Sequence, residues 1–439
     1  MTFGRPSKHI LAFALPLIFG NLFQQLYSMA DSIIVGQYLG VDALAAVGSV
    51  GSLQFLILGF CMGSCAGLAI PIAQRFGAHD EENLRKYVAN SVWLSAAMGL
   101  IVTAITVALA RQILVWMQTP ANIIDEAYAY FAAVLLGIPA MILYNLASSI
   151  MRALGDSKRP LYFLLLSSVL NIVLDLVFIV IFRMGVAGAA IATDISQLVS
   201  CVLSLRFLIK STDDCRVIPR EIRLHKKMAA RIIRVGLPTG IQNMVISFSN
   251  VLVQASVNSY GAAAMAGFAA YMKIDGFNIL PVSSISMAAT TFVGQNYGAG
   301  RLDRVKKGTW VTLAMGLVYT LATGALLLLG QDAIMHLFTN DETVVFFGEA
   351  AMHWFCPFYF LLSILHGLAG AVRGTGASVP PMVVLLVSLC LFRIVWIQWV
   401  LPLFSGIEGV FILYPVSWAL GAGLMILYAW KGKWMEYHA

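Results

Sequence analysis

The chain has 439 residues, of which 60% are hydrophobic and only 11% charged, with a net charge of +7 and a mean hydropathy of +0.84. Soluble domains carry about a quarter charged residues, so a domain folded in water is excluded and the chain reads as a polytopic membrane protein. It has no G-x-x-x-x-G-K-[ST] loop, no H-E-x-x-H pair and no polar stretch large enough for a nucleotide domain, so no enzyme is expected and any transport would draw on an ion gradient.

A bilayer core takes about 20 apolar residues per helical span. Such runs fall at roughly 10–34, 43–74, 88–110, 127–151, 160–182, 186–209, 230–258, 262–294, 309–330, 344–371, 381–403 and 407–430, six in each half. The first run contains Leu15-Pro16 and then Gln24, Tyr27 and Asp31, whose spacings of three and four put them on one helical face. Pro16 lies inside this helix, where the lost hydrogen bond makes it either a bending point or a static kink.

After the second run comes Gln74-Arg75-Phe76-Gly77-Ala78, then Arg85-Lys86, and the fourth run ends in Arg152-Ala153-Leu154-Gly155-Asp156-Ser157. The fifth holds Asn171 and Asp175 one turn apart; the sixth follows Gly185-Val186-Ala187-Gly188 and holds Thr193 and Asp194, about 100° apart around the axis. A basic stretch over 206–234 follows, with the composition of an interfacial amphipathic hinge; a passive connector is the alternative.

The pattern then starts again. Leu237-Pro238 repeats Leu15-Pro16, Gln295-Asn296-Tyr297-Gly298-Ala299 repeats the motif at Gln74, and Lys306-Lys307 answers Arg85-Lys86. Arg373-Gly374-Thr375-Gly376-Ala377-Ser378 and Gly406-Ile407-Glu408-Gly409 complete the second copy. Six spans per copy make the repeat parallel, with its axis along the membrane normal and a ligand expected between the copies. The expected division is an N-terminal bundle over 1–209, a cytoplasmic linker over 210–229 and a C-terminal bundle over 230–439.

With both termini cytoplasmic, every Lys and Arg except Arg111, Arg183, Lys273 and Arg393 falls on the inner side. A multi-pass protein of the cytoplasmic membrane, without a cleavable signal peptide, is therefore expected. Its pI of about 9.1 reflects topology and anionic lipid, not nucleic acid. The six cysteines have neither disulfide nor metal spacing.

A carboxylate in hydrocarbon is costly and marks function. Asp31, Asn171, Asp175 and Thr193 all lie in the first half, and the repeat puts Val253, Phe392, Trp396 and Tyr414 at the corresponding places. A set of Asp, Asn and Thr oxygens suits a hard monovalent cation such as Na+, or a proton. Asp194 is an additional candidate for coupling. In the second half, Lys273 and Asp275 point to opposite sides of one helix; Asp275 is open to an ion pair with Arg393 or to a substrate or coupling role. His353 and His366 are not at metal-ligand spacing and read as helix contacts or pocket lining.

Leu-Pro followed by Gln-x-x-Tyr-x-x-x-Asp in the first span, with Gln-x-x-Gly-Ala after the second and again after the eighth, resembles the MATE (multidrug and toxic compound extrusion) transporters over the whole chain, and most of all their DinF-like branch. The resemblance implies an all-α fold of twelve transmembrane helices in two pseudo-twofold-related six-helix bundles, forming a V around a central cavity. It implies a cation site at Asp31, Asn171, Asp175 and Thr193, with Gln24 and Tyr27 beside Asp31 and Pro16 as the bending proline. Gln24, Tyr27, Asn145 and Asp275 are the expected substrate-cavity residues. The activity expected is export of amphipathic, often cationic, small organic compounds in exchange for Na+ or H+, by a monomer without cofactor. A lipid-linked precursor flippase, for which two intramembrane cations are few, and a nutrient transporter of the same superfamily are the alternatives.

Overall fold

A computed structural model describes residues 1–210, 218, 220 and 222–436. Much of the expected linker, including Cys215, lies outside the described residues. The helices are α1 (Pro6–Leu39), α2 (Val41–Gly77), α3 (Glu81–Trp116), α4 in two parts (Ile124–Leu136 and Ile138–Ala153), α5 (Lys158–Ile181), α6 (Val186–Lys210), α7 (Lys226–Asn258), α8 (Ala262–Gly298), α9 (Leu302–Leu329), α10 (Glu342–Gly374), α11 (Val379–Leu403) and α12 (Glu408–Lys431). Ten of them are long and apolar enough to cross a membrane, and the two parts of α4, bent by 44°, do so together. Helix α7 is the twelfth segment. Its composition is more polar because Lys226, Lys227, Arg231 and Arg234 fill its first turns and Gln242, Asn243, Asn250 and Gln254 its second half. The chain is thus a multi-pass membrane protein with an all-helical fold.

The duplication is visible in how the helices start, break and turn. Asp80 caps α3 by accepting from the Asn83 backbone N–H, with Glu81 and Glu82 in the positive first turn. The break in α4 falls at Gly137, two residues before Pro139, and α10 breaks at the corresponding place, a 3-10 turn over Cys356–Phe358 containing Pro357. Helix α5 ends in a π-helical turn, Val177–Ile181, and its counterpart α11 has two, Leu386–Leu391 and Trp396–Val400. Gly155 and Gly376 close equivalent turns with φ of 90° and 91°, a conformation that costs an L side chain energy; this accounts for the glycines in the two Arg-containing motifs.

By contacts the chain forms two compact units, one of Pro16–Gly240 and the other of Met1–Leu15 with Ile241–Ala439. Each unit thus includes the first part of the helix that opens the other repeat. In the Pro16–Gly240 unit, the start of α7 lies against α2 so closely that a Cβ on Gly67 would come 2.7 Å from the Gly236 Cα, and one on Gly240 would come 2.1 Å from the Ser64 hydroxyl. Small residues let helices approach this closely in lipid, where apolar burial alone gives no preference for helix over lipid. Arg231, also from the start of α7, donates to Gln74 Oε1 at 3.2 Å.

The other unit repeats the arrangement. The Met1 nitrogen donates to Gln295 Oε1 at 3.0 Å, and Arg301 and Arg304 donate to the carbonyls of Thr2 and Gly4, both at 2.8 Å. The two Gln-x-x-Gly-Ala motifs therefore serve as sockets for the segment preceding each unit's borrowed helix or for that helix itself. The core of this unit is aromatic, with Phe355 packed on Tyr271, Phe411, Tyr414 and Trp418.

Candidate functional site

Helix α1 turns Leu17, Gly20, Gln24, Tyr27 and Asp31 towards protein and exposes Phe19, Phe23, Leu26 and Met29, as an amphipathic helix against a bundle should. Helix α5 presents Asn171 and Asp175, which are 1% and 0% exposed, below a patch of small buried residues, Ser167 and Ser168. Helix α6 brings Thr193, made approachable by the buried Ala189 and Ala190.

These side chains meet. The Asn171 amide bonds the Thr193 hydroxyl at 3.0 Å, and that hydroxyl donates back to the Ala189 carbonyl at 3.1 Å. With the amide turned the other way, its nitrogen donates to Asp175 Oδ2 at 3.3 Å while its oxygen accepts from the Thr193 N–H at 3.3 Å. The Asp31 and Asp175 carboxyls face each other within direct interaction range. One oxygen of each, Asp31 Oδ1 and Asp175 Oδ1, is buried with no hydrogen-bond partner among the described residues. A buried oxygen without a donor is costly. Two such oxygens on facing carboxyls form an electronegative site suited to a proton or a small monovalent cation.

Three further groups complete the site. Tyr27 and Tyr130 both stand in the field of Asp31 and Asp175, Tyr130 engages Gln54, and Tyr144 lies beside Tyr27. Tyr130, Tyr144 and Gln54 were not among the sequence candidates. Gln54 had a visible signal, an amide at the middle of an apolar span, but nothing in periodicity says that a tyrosine two helices away would meet it.

The remaining sequence candidates lie elsewhere. Asp194 faces α4, where a Cβ on Gly137 would come 1.9 Å from its Oδ1, while its neighbour Thr193 faces α5. Asn145 donates to its own helix, at the Met141 carbonyl, at 2.8 Å. Gln24 is half-buried one turn before Tyr27. Pro16 stands at the boundary where α1 passes from one compact unit to the other.

Asp275 belongs to the unit that does not contain Asp31. The open question of its partner is answered by two tyrosines, Tyr271 and Tyr359, whose hydroxyls hydrogen-bond with its Oδ1. The alternative of an Asp275–Arg393 ion pair is not found among the described residues. Arg393, 2% exposed, instead donates to the hydroxyls of Ser249 at 2.8 Å and Ser417 at 3.1 Å, and lies over the Tyr414 ring at 4.5 Å. Hydroxyls and a π face thus take part of the place that a carboxylate would hold against the guanidinium. His366 accepts through its backbone carbonyl from the Ser286 hydroxyl, and His353 packs edge-on to Trp354.

The sequence profile of the MatE family matches residues 16–177 and 238–398, one block in each repeat. The chain is similar to the probable multidrug resistance protein YpnP of Bacillus subtilis, with 30% identity over 438 residues covering 99% of this chain and 97% of that one. It is 28% identical to the probable multidrug resistance protein NorM of Thermotoga maritima over 443 residues, covering 97% and 93%. Among solved structures, a MOP superfamily transporter from Pyrococcus furiosus superposes with a TM-score of 0.89 at 24% identity over 97% of this chain and 95% of that one, a likeness of fold.

Proposed function

Because the chain belongs to the MatE family, the multidrug and toxic compound extrusion transporters, we propose that it is a secondary antiporter that exports amphipathic, often cationic, organic compounds in exchange for Na+ or H+. The relatives' description as multidrug resistance proteins supports the export reading. The observation that carries the coupling reading is the pair of facing carboxyls with unpartnered buried oxygens, Asp31 Oδ1 and Asp175 Oδ1.

Two carboxylates about 4 Å apart repel by about 4 kcal/mol at the effective dielectric of a protein interior. A cation entering between them removes that repulsion. Na+ would be held by Asp31 and Asp175 with the Asn171 amide oxygen and the Thr193 hydroxyl; a proton would be shared by the two carboxyls. Binding draws α1 towards α5 through Asp31, and Pro16, which has no N–H for the Ala12 carbonyl, lets the helix yield at that point. Movement of α1 changes the surface formed by Gln24 and Tyr27, and substrate is released as the cation is taken up. Asn145 and Asp275 are the further substrate contacts in this reading. Both termini are cytoplasmic and the membrane is the cytoplasmic one.

The test is dye accumulation in everted vesicles energised separately by imposed Na+ and proton gradients. Wild type is expected to respond to at least one gradient, and Asp31→Asn and Asp175→Asn to lose the response at normal membrane abundance. Normal accumulation by both variants would overturn the assignment.

A further inference from the structure

The second unit holds a carboxyl that the coupling site does not use. Asp275 sits near the middle of α8, with Tyr271 one turn before it on the same face and Tyr359 reaching it from the start of the second part of α10. Three hydrogen-bonded contacts join three oxygens pairwise: the Tyr271 hydroxyl with Asp275 Oδ1 at 3.2 Å, the Tyr359 hydroxyl with the same Oδ1, and the two hydroxyls with each other.

Counting protons decides what this ring needs. A hydroxyl donates once, so two tyrosines supply two protons for three contacts. With Asp275 ionised, one contact of the ring is left as two oxygens with no hydrogen between them. With Oδ1 protonated, each oxygen donates once and accepts once, and the ring closes.

Among the described residues no further hydrogen bond or ion pair reaches the Asp275 carboxyl. From α10 the titratable neighbours are Tyr359 and Cys356, and from α12 Tyr414; beyond Tyr414 lies Arg393, already committed to Ser249 and Ser417. Tyr319 of α9 donates to Asn278, nearly a turn further along α8. Lys273 points outward and is exposed. None of the ion pairs found among the described residues includes Asp275. The tyrosines are buried, 0% and 2% exposed, and Asp275 is half-buried, so the ring lies at the edge of the packed core. At the corresponding place in the first repeat α2 has Gln54, an amide that does not titrate.

We propose that Asp275, with the hydroxyls of Tyr271 and Tyr359, is a second proton-binding site in the unit that does not contain Asp31 and Asp175. The step is binding alone: carboxylate plus proton gives the carboxylic acid, and release is the reverse. Loading of this acid is independent of whether the paired carboxyls hold Na+ or H+, so the protein carries a proton-dependent element even if Na+ drives export.

Infrared difference spectroscopy of the purified full-length protein in lipid, stepped across pH, tests this without requiring transport. An Asp31→Asn/Asp175→Asn background removes the paired carboxyls. In that background a pH-dependent carboxylic-acid C=O band is expected, and Asp275→Asn is expected to abolish its Asp275 component. Tyr359→Phe, which opens the ring but keeps the acid, is expected to leave the band and change its position, and serves if the Asn variant fails to fold. Spectra unaltered by Asp275→Asn, or a band insensitive to Tyr359→Phe, would overturn the proposal. Loss of the band on adding Na+ at constant pH would replace the proton by Na+ as the ligand and also overturn it. Failure of dye export with these spectra intact would overturn the antiport reading alone.

Discussion

The Asp194 carboxyl lies in the space that a side chain on Gly137 would fill: an ideal Cβ there would stand 1.9 Å from Oδ1 and 2.4 Å from Cγ. The break of α4 and the Asp194 carboxyl are therefore one piece of packing. Gly137→Ala is expected to force α4 from α6 at a cost of about 1–3 kcal/mol, the usual range for overpacking. Shortening the opposing side chain with Asp194→Ala should recover most of it. Thermal unfolding of the single and double variants in detergent measures the cycle, and simple additivity would show that the two residues do not share the space.

His79 and Gly300 occupy the same left-handed turn in the two copies, with φ of 55° and 70°. The first copy bears a side chain where the second has none. His79→Gly is expected to relieve about 1 kcal/mol of backbone strain, less the entropy a glycine adds to the unfolded chain, and Gly300→Ala to cost about 1 kcal/mol. Opposite signs in melting temperature are the readout.

Asn171 stands between the Thr193 hydroxyl and the Asp175 carboxyl. Asn171→Ala takes the amide donor from the Asp175 carboxyl, a loss of about 1–3 kcal/mol, while the Thr193 hydroxyl keeps its bond to the Ala189 carbonyl. The half-saturating concentration of the coupling cation is expected to rise about tenfold in vesicle transport, with abundance little changed. An unaltered cation dependence would remove Asn171 from the site.

Outside the membrane-spanning segments, His336 ends a short helix between α9 and α10. Its Nδ1 lies 2.8 Å from the Asp332 carbonyl, and carboxylate oxygens of Asp332 and Glu342 lie at 3.2 Å and 3.5 Å. The Asp332 carbonyl foremost, then the two acids, favours the protonated ring and raises its pKa above the ordinary value. A raised folded-state pKa means the contribution is complete below the unfolded pKa of about 6.5 and is lost as pH rises through the folded value. The melting temperature of wild type relative to His336→Asn should therefore be higher at pH 6, with the difference closing as the solution is made alkaline.

Much of this architecture is written in apolar run length and in the repeat, because both are local properties of the chain. The spacing of Gln24, Tyr27 and Asp31, and of Asn171 and Asp175, gave faces without giving partners. Which face meets which depends on helix crossings, and in lipid no polar and apolar alternation records them. This is why Tyr130, Tyr144 and Tyr359 were invisible, why Gln54 showed as an intramembrane amide without a partner, and why the choice between an Arg393 ion pair and another partner for Asp275 stayed open. Tyr271 at four residues before Asp275 was the one part of the ring within reach of sequence reasoning.

The start of α7 closes over α2 through Gly236, Gly240 and Arg231, while the start of the chain is held at Gln295, Arg301 and Arg304. A chain severed between residues 210 and 226 would give two fragments, and neither would contain a whole unit. The N-terminal fragment would lack the strand of helix that covers Gly67 and Ser64, and the C-terminal fragment would lack the segment that fills the second motif's socket. The Pro16–Gly240 unit is complete only once the first turns of α7 have been made, and the other unit takes in Met1–Leu15, made before anything else in it, so the two copies, though alike in pattern, do not mature as separate modules.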